Sequence, residues 1–398
     1  MLNDEKIEFF EGTQRVTTPE KTIEKYEPLL KTAGITRITE ITHLDRIKIP
    51  VFSAIRPTSQ GGGVSVYAGK GVGLSQAKAS AIMEGFERYS AERQDKDNVL
   101  VASIHDISGD YIDPETLILP RETQQFSSFE IEWSTAFDLI DQKEYYIPTN
   151  AIYHPYVPEN GCRALFKGNT NGLASGNVIE EAILHSMFEV IERDAWSLYE
   201  LTRKNSKQID LNSIKSDLIN QLLEKFQDNG IEIRLIDITA DIKVTTVLAS
   251  ADDTLTKDAG LLSIGIGTHL DPEIAVLRAL TEVAQSRATQ IQGAREDTVR
   301  ADIVRKVGYE KTKKKYKHYF NDNKNLINFD SIENRSTGSL KDDINTVVEE
   351  LKDNGIEHVL YKNLTRPEIG VNVARVIIPT MEVYSVDNAR AGDRCLKI

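Results

Sequence analysis

Residues 219–239 read INQLLEKFQDNGIEIRLIDIT, and residues 344–365 read INTVVEELKDNGIEHVLYKNLT. Each stretch begins with apolar residues at helical spacing, stops at D-N-G, and continues as a run suited to a strand. Asn and Gly stop a helix because both tolerate the left-handed backbone that closes its last turn. A second strand follows each copy, KVTTVLAS at 243–250 and VNVARVIIP at 371–379. A common helix stop explains the D-N-G but not the matched flanks, so the chain repeats an αββ unit at about 216–250 and 341–379. Two such units predict an α+β fold, with helices packed on mixed or antiparallel sheets and pseudo-twofold symmetry between the copies.

Outward from the repeat, residues 17–33 predict a helix, with Thr17 and Glu20 at capping-box spacing and Pro19 in the first turn. Alternating segments at 35–57 and 130–139 suit strands, and a glycine-rich passage lies at 61–73. Long helices are predicted at 75–93, 177–202 and 272–292, and a solvated helix or loop for the lysine-rich run 311–325. The 398 residues are read as one elaborate domain, 1–398.

Lys and Arg total 48 against 61 Asp and Glu, a net charge of −13 that repels phosphate backbones and excludes indiscriminate nucleic-acid binding. No apolar run reaches the roughly 18 residues of a membrane span, and MLNDEKIEFF has no signal core. A cytoplasmic location is expected. Cys162 and Cys395 are too few for a disulfide framework or a thiolate zinc site, and both are read as passive.

The chemistry lies on the long helices. The first carries Ser80, Glu84, Glu87 and Arg88 on one face; the second carries Glu181, His185, Glu189 and Glu192 on one face, followed by Arg193. E-x-x-E-R thus occurs twice. The third offers Arg278, Glu282 and Gln285 one turn apart, followed by Arg287. A solvated charged stripe explains one such helix, but not two that also carry thick apolar faces. Gathering carboxylates at one locus is unfavourable unless cations compensate. An oxygen-only set selects a hard cation, magnesium above all, whose shell is completed by substrate phosphates. Neighbouring arginines would then grip phosphate oxygens. The residues point to a nucleotide site of the Glu–Mg–phosphate type. Gly69–Lys70 is no Walker loop, since Gly71 stands where Ser or Thr is needed. A di-iron centre would want E-x-x-H twice, and Glu181 and His185 are one residue too far apart. His185 is read as a supporting or core histidine.

Three blocks, GKGVGLSQAKASAIMEGFERYSAER at 69–93, NTNGLASGNVIEEAILHSMFEVIERDAW at 169–196 and GIGTHLDPEIAVLRALTEVAQSR at 265–287, resemble the YcaO family in content and order. The resemblance spans roughly residues 15–394. It implies ATP-dependent activation of a peptide backbone amide by γ-phosphoryl transfer to the amide oxygen. A Cys, Ser or Thr side chain as nucleophile then gives an azoline, and external sulfide gives a thioamide. Carried over residue by residue, it implies magnesium ligands from Glu84, Glu87, Glu181, Glu189, Glu192 and Glu282. It implies nucleotide contacts from Ser80, Glu84, Arg88, Asn177, Arg193, Gln285 and Arg287, with Arg15 and Thr22 as N-terminal contacts and Lys70 in the G-K-G turn. Arg88 and Arg193 are the implied catalytic donors.

The sequence ends RAGDRCLKI without the proline-rich tail of azoline-forming members, and no fused leader-binding domain is expected before residue 1. SVDNARAGDR at 385–394 resembles standalone members from methanogenic archaea. Those are associated with thioamidation of a glycine in methyl-coenzyme M reductase, often with a TfuA-type partner. The partners implied are a peptide or protein substrate, methyl-coenzyme M reductase being suspected, a sulfide donor, a TfuA-type protein and a second copy of the chain. An azoline-forming cyclodehydratase, a helper in ribosomal protein S12 modification, and a non-catalytic ATP-binding subunit are the other readings. The complete glutamate set argues against the last.

Overall fold

The computed structural model describes residues 2–397 apart from 62, 124, 160, 205, 296–298 and 322–324. Four helices carry functional residues, α1 (Pro19–Tyr26), α2 (Leu74–Ala91), α3 (Ile179–Thr202) and α5 (Pro272–Gln292), while α4 (Asp217–Gln227) opens the first repeat.

Both copies of the αββ unit fold as the sequence predicts, and by the same devices. Ser216 caps α4 by accepting from the Ile219 N–H at 3.3 Å, and Ser339 caps the Leu340–Asp353 helix by accepting from Asp342 at 3.2 Å. Ile219, Leu222 and Phe226 of the first helix are buried, as are Ile344, Val347 and Leu351 of the second. At each stop the Asn Nδ2 donates to the carbonyl four residues back, Asn229 to Lys225 and Asn354 to Glu350, both at 2.8 Å. Gly230 and Gly355 then reverse the chain at φ +65° and +80°, where a side chain would be strained.

The copies enter different sheets. Strands Ile231–Asp237 and Thr245–Asp253 lie within a five-stranded sheet, antiparallel except for its last, parallel pair. Strands Leu360–Asn363 and Asn372–Ile377 lie within an antiparallel six-stranded sheet that also holds Ile131–Asp138 and Leu173–Gly176. Every residue of Thr245–Asp253 is buried, because both faces are covered. Phe226 of α4 and Leu280 of α5 pack with Val247 on one side, and Tyr319 and Phe320 pack with Leu248 on the other. The lysine-rich run is therefore not wholly solvated: its aromatic end is core. A third, three-stranded antiparallel sheet holds Arg37–Glu40, Val51–Ile55 and Val66–Lys70.

The helix predicted over 17–33 is shorter. Thr18, not Thr17, caps α1, and after Tyr26 the chain tightens into a 3-10 turn, Glu27–Leu29. Pro28 has no N–H to continue an α-helix and crowds the preceding turn. The three glutamate helices each follow a strand directly: Val66–Lys70 leads into α2, Leu173–Gly176 into α3 and Ser263–His269 into α5. Each helix folds back on its strand. A Cβ at Gly69 or Gly267 would collide with the backbone of Ala81 or Ala275, so glycine sets how closely strand and helix approach. Among the described residues no helix is long and apolar enough to cross a membrane.

Candidate active site

The three glutamate helices converge on a cavity of about 650 Å³. Glu84 and Glu87 reach it from α2, Glu181, Glu189 and Glu192 from α3, and Glu282 from α5. Arg15, Thr22, Lys70, Ser80, Asn177, Arg193 and Gln285 complete the sequence-predicted residues on its wall. E-x-x-E-R proves to be a local building unit. Arg88 Nη2 lies 3.2 Å from Glu84 and 3.8 Å from Glu87, and Arg193 Nη2 lies 3.9 Å from both Glu189 and Glu192. The arginine one residue beyond the second glutamate and one turn beyond the first spans both. Arg193 lines the cavity, whereas Arg88 sits behind Glu84 with Nε and Nη1 buried and unpartnered.

The carboxylates are short of cations. Burial, reinforced by Glu84 and Glu189, pushes the Glu87 carboxyl up to about 8 despite Arg88. Burial likewise raises Glu189, and burial with the Glu282 charge raises Glu192. Glu282 goes the other way: burial opposes its charge, but Lys70, which donates to it, and Arg193 hold it below the usual range. Buried carboxylates driven toward protonation are what a hard-cation site looks like without its cation, so the donor set fits magnesium. Among the described residues no three such ligands close into a ready-made cage.

A stability test follows. Folded Glu87 keeps its proton to about pH 8, whereas an unfolded glutamate releases it near 4.5. A raised carboxyl pKa makes the folded state bind more protons in that window, so its contribution falls as pH rises. Glu87→Gln should match the parent at acid pH and become progressively more stable than it toward about pH 8. Urea midpoints of the two proteins without nucleotide measure this; a constant difference across the window would mean Glu87 is ionised throughout.

Cations line the same cavity. Arg15 Nη2 lies 3.3 Å from His185 Nδ1, and Arg278 Nη2 lies 3.2 Å from His185 Nε2. Burial, then Arg278 and Arg15, hold His185 well below its usual range, so the ring is neutral and one of its nitrogens accepts from a guanidinium. At one edge Glu181 accepts from the Val16 N–H at 2.6 Å and from the Asn177 N–H at 2.8 Å, and Thr22 Oγ1 donates to Asn177 Oδ1 at 2.9 Å. Both Glu181 oxygens thus tie the N-terminal hairpin to the start of α3. Gln285 donates to the Ala68 carbonyl beside the G-K-G turn.

Arg287 is elsewhere. It lies five residues past Glu282, about 140° around the helix, and is fully buried. Its Nε donates to Asp45 at 2.7 Å, and its Nη2 reaches Asp45 and Asp253 at 3.2 Å. The expected nucleotide contact is thus a structural ion pair. Arg278 lines the cavity in its place. Its signal was available, since it stands one turn before Glu282 on the same face.

Fold and site together define an α+β protein in which glutamates from three helices, several arginines and Lys70 line one nucleotide-sized cavity. The chain belongs to the YcaO family: residues 68–382 match the model described as YcaO cyclodehydratase, ATP- and Mg2+-binding. ATP and Mg2+ are the cofactors of that family. An uncharacterised protein of Methanothermobacter thermautotrophicus is 54% identical over 376 residues, 94% of this chain and 97% of that one. A protein from the tfuA 3′ region of Rhizobium leguminosarum bv. trifolii is 30% identical, over 93% of this chain and 89% of that one. The structure of YcaO from Methanopyrus kandleri bound with AMPPCP and Mg2+ is similar at TM-score 0.79 and 27% identity, over 98% of both chains. A heterocyclase in complex with substrate and cofactor is similar at TM-score 0.83 and 26% identity, over 96% of this chain and 54% of that one.

Proposed function

We propose that the cavity binds ATP with magnesium, and that the protein phosphorylates a peptide backbone amide oxygen so that sulfide can replace it, leaving a thioamide. The observation that carries this reading is the set of buried carboxylates, Glu87, Glu189 and Glu192 raised toward protonation, that share one cavity with Arg15, Arg278 and Lys70. Glu84, Glu87, Glu189, Glu192 and Glu282 would hold the metal, with Glu181 bracing the edge, and Ser80, Asn177 and Gln285 would contact the nucleotide. Magnesium, when bound, offsets charge developing on the transferred phosphoryl group. Arg193 on the wall is the donor to that group, and Arg88, off the cavity, holds Glu84 and Glu87 in place.

The atoms balance simply. Hydrosulfide adds to the amide carbon, the amide oxygen takes the γ-phosphoryl group, and the C–O bond breaks to release phosphate carrying the hydrosulfide proton. Phosphorylation is needed because an amide oxygen is a poor leaving group. External sulfide is favoured over a protein thiol. Neither Cys162 nor Cys395 lines the cavity, and burial raises both thiols above the usual range, which makes them poor nucleophiles at neutral pH. The tfuA-region relative supports a TfuA-type protein as the sulfide-delivering partner, and glycine in methyl-coenzyme M reductase is the suspected target. Azoline formation is the second reading, favoured by the likeness to a heterocyclase solved with substrate.

Incubation of a glycine-containing peptide with ATP, magnesium and sulfide separates these. The expected result is replacement of oxygen by sulfur in the peptide mass, with ADP and phosphate as products, undiminished in a Cys162→Ser, Cys395→Ser double variant. Loss of water instead means azoline formation. AMP and pyrophosphate mean adenylation, and loss of activity in the double variant with ATP binding intact means a persulfide route.

A further inference from the structure

On another face of α3, at Val190, lies a second cavity of about 60 Å³. Its polar lining is Arg375 and Arg390, only 5% and 4% exposed, together with Thr116, Asn169 and Asn171, whose Oδ1 is buried without a partner. Each is tethered by backbone carbonyls. Arg375 donates to Ala151 and Asn169, both at 3.0 Å; Arg390 donates to Ile118 at 2.8 Å and Leu117 at 2.5 Å, with its guanidinium 4.0 Å over the Phe166 ring. The Nη1 of each is buried without a hydrogen-bond partner. The acidic groups that act on them are Glu189 and Glu87 for Arg375 and Asp387 for Arg390, and none is hydrogen-bonded to either guanidinium among the described residues.

Two buried guanidiniums with free donors are costly unless an anion completes them. Burial accordingly pulls both below their usual range, to about 10. The space admits only a species of a few heavy atoms, since one water needs roughly 10–15 Å³ of such volume. Leu117, Phe166, Ile378 and Met381 line the cavity beside these polar groups, an apolar share that suits a soft, weakly hydrated anion better than a hard one. The cavity also adjoins the chemistry. Arg375 pairs in register with Leu173, which lines the large cavity, and its charge is felt by Glu189 and Glu87.

We infer that this small cavity holds the sulfur nucleophile as hydrosulfide, between Nη1 of Arg375 and Nη1 of Arg390, beside the site of phosphoryl transfer. The inference rests on the thioamide reading for the identity of the anion. It gives sulfide its own site, separate from ATP. A crystal of the protein soaked in bromide, a soft monovalent stand-in, should show anomalous density between the two guanidiniums.

In turnover, Arg390→Gln should raise the KM for sulfide about tenfold or more, the loss of one charge-assisted hydrogen bond, with the KM for ATP unchanged. Val383→Leu narrows the cavity at a residue that holds neither guanidinium and should act likewise, which keeps the test open if Arg390→Gln fails to fold. Bromide should compete with sulfide and not with ATP. A parent that makes thioamide while the folded variants keep their sulfide KM overturns this site and leaves the thioamide reading standing. A parent that makes azoline defeats the thioamide reading and the hydrosulfide assignment with it. Absence of bromide density then also removes the anion cavity.

Discussion

Glu192→Gln should reduce magnesium-dependent ATP turnover on the order of 10³-fold, comparable to removing a preorganised charge-stabilising group from other active sites, while leaving a folded protein. Glu192 is 3% exposed and shares the cavity with Glu189 and Glu282. As a proposed metal ligand its charge would serve a cation that the nucleotide brings; on their own, burial and Glu282 make the charge unfavourable. Glutamine keeps the volume and removes the charge, so the unliganded variant should unfold at a higher denaturant concentration than the parent near neutral pH. Phosphate release in the presence of peptide and the unfolding midpoint without ligand are the two measurements. Full turnover would show that Glu192 holds no metal, and a collapse in stability would show that it holds the fold instead.

That opposition between function and stability was legible in the sequence because helical spacing is a strong signal. Glu84 with Glu87 and Glu189 with Glu192 fall on one face at 3.6 residues per turn whatever the tertiary structure, and the cavity collects them. The duplicated D-N-G likewise disclosed the αββ units, since local capping and burial repeat in both copies. Tertiary neighbours were harder. Nothing local says that Glu181 ties down Val16, or that His185 rests between Arg15 and Arg278, because those partners come from 165 and 93 or more residues away. Tyr319 and Phe320 were hidden by composition: a lysine-rich segment reads as solvated, although two aromatic side chains suffice to cover a sheet face. The small cavity between Arg375 and Arg390 had no sequence signal, since two lone arginines in different segments form no spacing pattern.

Arg287 shows the limit most sharply, and its removal should be the most destabilising single change considered. Family resemblance carries Arg287 into the nucleotide site along with Gln285, but two residues on a helix diverge by about 200°. Arg287 therefore points into the core, against Asp45 and Asp253. Removing one partner of a buried ion pair leaves the other charge without compensation, at a cost of about 3–5 kcal/mol. Asp253 would keep Arg46, which donates to it at 2.7 Å, so the loss falls chiefly on Asp45. Arg287→Leu should thus lower the stability in guanidinium unfolding by that amount, and a further Asp45→Asn should restore part of it. The folded fraction of Arg287→Leu should bind ATP and magnesium as the parent does. A variant of normal stability but weakened nucleotide affinity would instead return Arg287 to the active site.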